Sequence, residues 1–167
     1  MDRESFQRFY ERSAPALRSY LRMSCRNTAL ADDLLQECFL KLLRSKLPDL
    51  EEAQLKSYLY KTAHSVMADH YRRKSREPLV PAAYEETAAP AFDLPLDLSR
   101  ILGRLSERDQ QLLWLAYVEG FSHREIAEQT DLAENSVRVL LARARERTAE
   151  LLADSGLGPE DVKNDGT

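Results

Sequence analysis

Five arginines and an asparagine are packed into a short stretch of this chain, residues 122–148, SHREIAEQTDLAENSVRVLLARARERT. Arginine presents a rigid fork of N–H donors that matches phosphate oxygens and the acceptor edge of guanine, and asparagine matches adenine. The chemistry these residue types could do is therefore recognition of a nucleic acid rather than bond making. A second basic run, residues 55–76, interleaves Tyr60, His64 and Tyr71 with Lys61, Arg72 and Arg73. Rings set among cations suit unpaired bases, which stack on the rings while cations hold the phosphates. The same tyrosines would serve equally well as packing residues, and the sequence leaves both readings open.

The elements that must position these groups are helical, because apolar residues recur at helical spacing and strand signals are nearly absent. Residues 122–148 read as a helix, a tight turn and a second helix. Ala127 is small enough for two helices to cross. Asp131 falls where the turn needs a left-handed backbone, which Asp adopts at some cost. Val137 would lock the second helix inward. At about 100° per residue, Val137, Leu140, Leu141, Ala144 and Thr148 share an inner face. Asn135, Val139, Ala142 and Glu146 point away, with Arg138 and Arg145 on one flank and Arg143 and Arg147 on the other. Such a helix can lie in a major groove with arginines on both phosphate walls. On residues 55–76 the same reckoning gives an inner face of Leu55, Leu59, Thr62 and Val66, and an outer face of Tyr60, His64 and Tyr71. His64 and His70 are six apart, out of helical register for a shared metal, and no metal is expected.

Residues 31–44, ADDLLQECFLKLLR, form an amphipathic helix with Asp32, Asp33, Gln36 and Glu37 on its polar side and Leu34, Leu35, Cys38, Phe39, Leu42 and Leu43 as its apolar stripe. Carboxylates near a helix start are favoured by the dipole alone. They also form a patch suited to a basic protein partner, and both readings stand. Upstream, Phe6, Phe9 and Tyr10, then Leu17, Tyr20 and Leu21, mark two helical stretches, with Pro15 expected to begin the second. Residues 77–96 hold four of the seven prolines and few large apolar groups, so an extended, mobile linker is expected. Four more helices are expected over 97–104, 107–119, 123–129 and 134–152. Ser106 and Ser122 each start a capping box with Asp109 and Glu125, and Gly120 stops a helix.

A net charge of −4 argues against nucleic acid until its distribution is considered. Residues 54–76 carry six Lys/Arg and one acid, residues 77–99 five acids and no Lys/Arg, and the last fourteen residues four acids and one Lys. Segregated charge steers a polyanion to one face. No apolar run approaches the roughly 18 residues of a membrane span. MDRESFQRFY lacks the apolar core of a secretory signal, so a cytoplasmic protein with no membrane insertion is expected. Cys25 and Cys38 do not make a disulfide framework and read as core residues, with oxidant sensing a lesser option. No glycine-rich phosphate loop, nucleophile elbow or metal-ligand cluster appears. Asp69 and His70 are adjacent on a helix and cannot face one site together, so no enzyme and no cofactor are expected.

Three segments together resemble the bacterial RNA polymerase sigma factors of the extracytoplasmic-function group. ADDLLQECFLKLLR is similar to their core-binding helix. LKSYLYKTAHSVMADHYRRKSR is similar to their promoter-melting and minus-ten-reading helix. LGRLSERDQQLLWLAYVEGFSHREIAEQTDLAENSVRVLLARARERT is similar to their minus-thirty-five-reading domain. The resemblance covers residues 5–150 in the family's order. It implies an all-α chain of two small helical domains joined by a flexible acidic linker, the C-terminal one containing a helix-turn-helix. The expected boundaries are 1–76, linker 77–96, 97–153 and a tail 154–167. By position, Asp32, Asp33, Gln36 and Glu37 would face core RNA polymerase. Tyr60, Lys61, His64, Ser65, Asp69, Arg72 and Arg73 would lie at the minus-ten non-template strand. Asn135, Ser136, Arg138, Val139 and Arg143 would face the minus-thirty-five duplex. The chain departs from the family at His64-Ser65, commonly Arg-Asn, and at Asp131, commonly Gly. It departs again at Ala133, commonly Ser, and at Val139-Leu140-Leu141-Ala142, often Ser-Arg-Leu-His.

The function implied is a transcription initiation factor that binds core RNA polymerase, recognises promoter DNA and helps melt it. A dedicated anti-sigma factor is implied as a further partner. The rival reading is a stand-alone helix-turn-helix regulator, which should bind duplex DNA alone as a dimer. The chain shows no clear coiled-coil seam for dimerising.

Overall fold

The computed structural model of the chain describes residues 1–76 and 96–156, and every regular element among them is helical. The linker expected over 77–96 lies outside the described residues except for Leu96, as does the tail beyond Gly156.

Three helices make the N-terminal half: α1 Arg3–Cys25, α2 Thr28–Arg44 and α3 Glu52–Arg76. The Asp2 carboxylate accepts the Ser5 N–H at 2.7 Å and starts α1. Arg26, left-handed at φ 53°, ends it by donating its N–H to the Arg22 carbonyl. The two stretches expected on either side of Pro15 are one continuous helix. Pro15 is exposed, so the carbonyl it leaves without a donor can be hydrated, and burial of Phe9, Leu17, Tyr20 and Leu21 outweighs a proline cost of about 3 kcal/mol. The Asn27 side chain accepts from Leu30 N–H at 2.9 Å and starts α2. Leu17, Leu21, Leu34, Leu35, Leu59, Ala63 and Val66, all at 2% exposure or less, fill the space between the three helices.

The C-terminal half contains α4 Leu96–Gly103, α5 Glu107–Leu113, a π-helical turn Trp114–Val118, α6 His123–Thr130 and α7 Glu134–Asp154. The single helix expected over 107–119 is not uniform. Its last turn widens, with Glu119 N–H donating to the Trp114 carbonyl five residues back at 3.0 Å. Gly120, at φ 72°, then turns the chain. Ser106 and Ser122 each cap their helix by accepting an N–H three residues on, both at 3.1 Å. The reciprocal carboxylate half of each box is not among the described hydrogen bonds. Asp109, almost fully buried, accepts from Arg147 Nη1 of α7 at 2.7 Å instead. Arg147→Ala would leave that carboxylate buried without its cation. A loss of about 2 kcal/mol is expected in chemical denaturation, below the fully buried range because the arginine is half exposed.

The halves are not held apart. α1 packs on α5 and α3 packs on α6, and one continuous core runs from Leu17 and Tyr20 through Tyr60 to Trp114, Phe121 and Ile126. Cys38 is buried and Cys25 half-buried, both free thiols. Burial pushes each thiol up to about 12, so both stay protonated and unreactive near neutral pH. Among the described residues no helix is long and apolar enough to cross a membrane.

Candidate nucleic-acid interface

α7 separates its two faces cleanly. Val137, Leu141 and Ala144 are at 2% exposure or less, whereas Asn135, Ser136, Arg138, Val139 and Arg143 all face solvent. An exposed valine flanked by guanidinium groups and an amide is the makeup of a helix that reads base edges. The turn before it comes from Asp131, left-handed at φ 57°. Ala133 supplies no capping side chain to α7, so the first N–H groups of that helix are open toward whatever lies at its N-terminus. The four flanking arginines are not equivalent. Arg145 donates to the Tyr117 hydroxyl at 2.9 Å and Arg147 is engaged by Asp109. Among the described residues Arg138 and Arg143 have no ion pair, and both face solvent.

On α3 the expected outer face needs correction. Lys61, Ser65, Tyr71, Arg72 and Arg73 are exposed, but Tyr60 is 1% exposed and His64 is largely enclosed. Both rings turn into the seam between the halves, because α5, the π turn and α6 supply apolar cover that an isolated helix would lack. Tyr60 packs edge-on against Tyr20 and Phe121 and donates to Glu119 Oε1 at 2.6 Å. Burial, then the Glu119 charge, raises its pKa, so it remains a phenol. Asp69 lies within 3.9 Å of Lys41 and 3.6 Å of Arg72, so it steadies two cations.

The Tyr20 hydroxyl bonds His64 Nε2, and the His64 ring borders a cavity of about 120 Å³ with Arg108, Gln111, Leu112, Thr130 and Leu132. Burial lowers the His64 pKa from 6.5 to about 4. The unfolded chain takes up this proton below about 6.5 while the folded chain refuses it until about 4. The contribution is complete above about 6.5 and fades as pH falls to 4, by up to roughly 3 kcal/mol. Thermal unfolding followed from pH 7 to 4.5 should show wild type losing more stability than His64→Gln. Parallel curves would remove His64 from the account.

α2 presents a different surface. Asp33 and Gln36 are exposed, Asp32 lies 3.3 Å from Arg18, and Glu37 lies 3.8 Å from Lys41. Leu43, expected in the apolar stripe, is 56% exposed, and Leu40 is 48% exposed. Helical spacing puts both on the side of Asp33 and Gln36. The signal for this is in the sequence: leucines at 34, 35, 40, 42 and 43 with Phe39 span more of the circumference than one inward face can bury.

Two family models match the chain, one in each half. Residues 9–77 match Sigma-70 region 2, and residues 96–148 match Sigma-70 region 4. The chain belongs to the sigma-70 family, in its extracytoplasmic-function group. It is 31% identical over 159 residues to the RNA polymerase sigma factor CarQ of Myxococcus xanthus, covering 90% of this chain and 91% of that one. It is 27% identical over 157 residues to the extracytoplasmic-function sigma factor SigM of Mycobacterium tuberculosis, covering 90% and 79%. Two solved structures share the fold. RpoE in complex with the anti-sigma factor NepR from Bartonella quintana has a TM-score of 0.61 at 23% identity, covering 90% of this chain and 98% of that one. CnrH in complex with the cytosolic domain of CnrY has a TM-score of 0.62 at 22% identity, covering 92% and 90%. The sigma factor binds core RNA polymerase and promoter DNA, and it acts by binding rather than by catalysis.

Proposed function

We propose that this sigma factor divides promoter recognition between its two ends. The domain over 97–153 holds minus-thirty-five duplex through a helix-turn-helix formed by α6 and α7. Asn135, Arg138 and Val139 meet base edges there, and Ser136 and Arg143 meet phosphate. The domain over 1–76 captures the non-template strand at minus ten through Tyr60, Lys61, His64, Ser65, Asp69, Arg72 and Arg73. Melting is driven by binding, because stacking at roughly 1–3 kcal/mol per base and phosphate contacts offset the cost of unpairing. Asp32, Asp33, Gln36 and Glu37, joined by Leu40 and Leu43, form the docking surface for core polymerase. Residues 77–96 act as an acidic tether between the domains.

The observation that carries this reading is the outer face of α7: five residues suited to DNA, all exposed, on a helix whose opposite face is fully buried. The test is reconstitution. Purified protein mixed with core polymerase should direct it to a subset of promoters, identified by sequencing the transcripts made. Failure to bind core polymerase at low salt would overturn the reading. The solved relatives in complexes with NepR and with CnrY support a further proposal, that a dedicated inhibitory protein holds this sigma factor too, in the cytoplasm where it meets polymerase.

A further inference from the structure

The outer stripe of α7 holds a side chain that the fold does not use. Among the described residues of α7, Val139 is the only large apolar side chain that is exposed, at 49%. The helix is already anchored on its opposite face by Val137, Leu141 and Ala144, with Leu140 packed at the margin of the core. A β-branched residue gives up rotamer freedom in a helix, and alanine, glutamine or lysine would hold an exposed position better. Folding of this chain therefore gives no reason for a valine there.

The groups around Val139 define what it can touch. Within a turn of it along α7 the exposed side chains are Asn135, Ser136, Arg138 and Arg143. A protein partner that sought an apolar patch would find one valine among amide, hydroxyl and guanidinium groups. A major groove is the better match, because the 5-methyl of thymine is the apolar edge among its hydrogen-bonding ones. From Val139 to Ala142 the outer stripe offers no hydrogen-bonding side chain, and Ala142 is half-buried and ends in a methyl. A cytosine or adenine amino group brought against that stretch would lose its water without gaining a partner. The surface that favours a methyl thus also rejects an amino group, and discrimination needs both. Four residues along a helix span about 6 Å, so Asn135 and Val139 address neighbouring base pairs rather than one.

We propose that Val139, backed by Ala142, reads the 5-methyl group of a thymine in the upstream promoter element, at a base pair beside the one that Asn135 contacts. The inference rests on the assignment of α7 to the minus-thirty-five duplex and names what one position of that helix selects. Arginine and asparagine supply the hydrogen bonds to polar edges, whereas thymine is told from cytosine by a side chain with no polar atom. Uracil pairs as thymine does and lacks only the methyl, so it isolates this contact.

The test uses holoenzyme reconstituted from the full chain and core polymerase. Its first probe is a pool of duplexes randomised over the upstream element, and sequencing the bound fraction gives the preferred sequence. Each thymine of that preferred duplex is then replaced singly by uracil, and binding is followed by fluorescence anisotropy. At one thymine the replacement should weaken binding by wild type about fourfold, the worth of burying one methyl. Val139→Ala should bind the thymine and uracil duplexes equally at that position, with no loss of thermal stability. The cycle of side chain against methyl separates this contact from a general loss of affinity, which would weaken both duplexes alike and keep the fourfold ratio. A preferred sequence with no thymine whose replacement weakens binding would overturn the methyl reading while leaving α7 on the duplex. So would a fourfold penalty that persists in Val139→Ala. If wild type selects no upstream sequence, or Arg138→Ala with Arg143→Ala selects the same one, α7 does not read the duplex and the inference falls with that assignment.

Discussion

Arg138→Ala combined with Arg143→Ala is expected to weaken binding of the upstream promoter duplex about 100-fold without reducing stability. The two guanidinium groups stand on opposite flanks of the exposed side of α7, and among the described residues neither has an ion pair that its removal would break. An arginine that holds a phosphate or a base edge contributes about 1–3 kcal/mol to binding. Each phosphate neutralised also contributes about 0.9 to the dependence of log affinity on log salt. Salt titration of duplex binding by the holoenzyme should therefore show a slope shallower by roughly one, for the phosphate that Arg143 holds. Arg145→Ala with Arg147→Ala removes the same charge from the same helix, but those groups serve Tyr117 and Asp109, so its principal effect should be on thermal stability. Equal salt slopes for the two double variants would remove α7 as the duplex-reading helix.

The second large effect is expected on α2. Leu40→Asp with Leu43→Asp should weaken the complex with core polymerase about 100-fold while leaving the isolated chain folded. Both leucines are about half exposed, so replacing them removes little from the core. Covering the exposed half of each in an interface would contribute about 0.8–1.5 kcal/mol, and a carboxylate in their place would be desolvated as well. Asp32 and Glu37 should matter less individually, since each is already near a cation of its own chain, Arg18 and Lys41. Competition for core polymerase against unmodified protein measures this directly. Undiminished competition by the double variant would show that polymerase docks elsewhere.

Much of this architecture is legible in the residues because the signals are local. Ser106 and Ser122 announce helix starts by bonding an N–H three residues away, and the structure has both bonds. Asp131 stands where the turn demands a left-handed backbone and takes one. The buried and exposed sides of α7 follow from a period of 3.6 with no help from neighbours. The departures share a cause. Pro15 reads as a helix start because its own missing N–H is a local fact, whereas the apolar contacts that carry α1 through it come from α2 and α3. The carboxylate of Asp109 suits a cap but goes to Arg147, 38 residues away. Periodicity points Tyr60 and His64 outward because it assigns faces relative to one core, and α3 has two.

What the sequence by itself determined is the helical class, the capped starts at Ser106 and Ser122, the turn at Asp131, the segregation of charge, and the two faces of α7. Each of these depends on residues within a turn or two of one another, where backbone geometry fixes the outcome. What only the tertiary structure decided is which side chains are free. Glu119 is an ordinary acid before a glycine in the linear order, and its partners Lys56 and Tyr60 lie 63 and 59 residues upstream. Aromatic rings from Tyr20 of α1, Trp114 of the π turn and Phe121 of the loop after it gather around Tyr60 at that contact. Burial is a property of the assembled surface, and no local pattern encodes it.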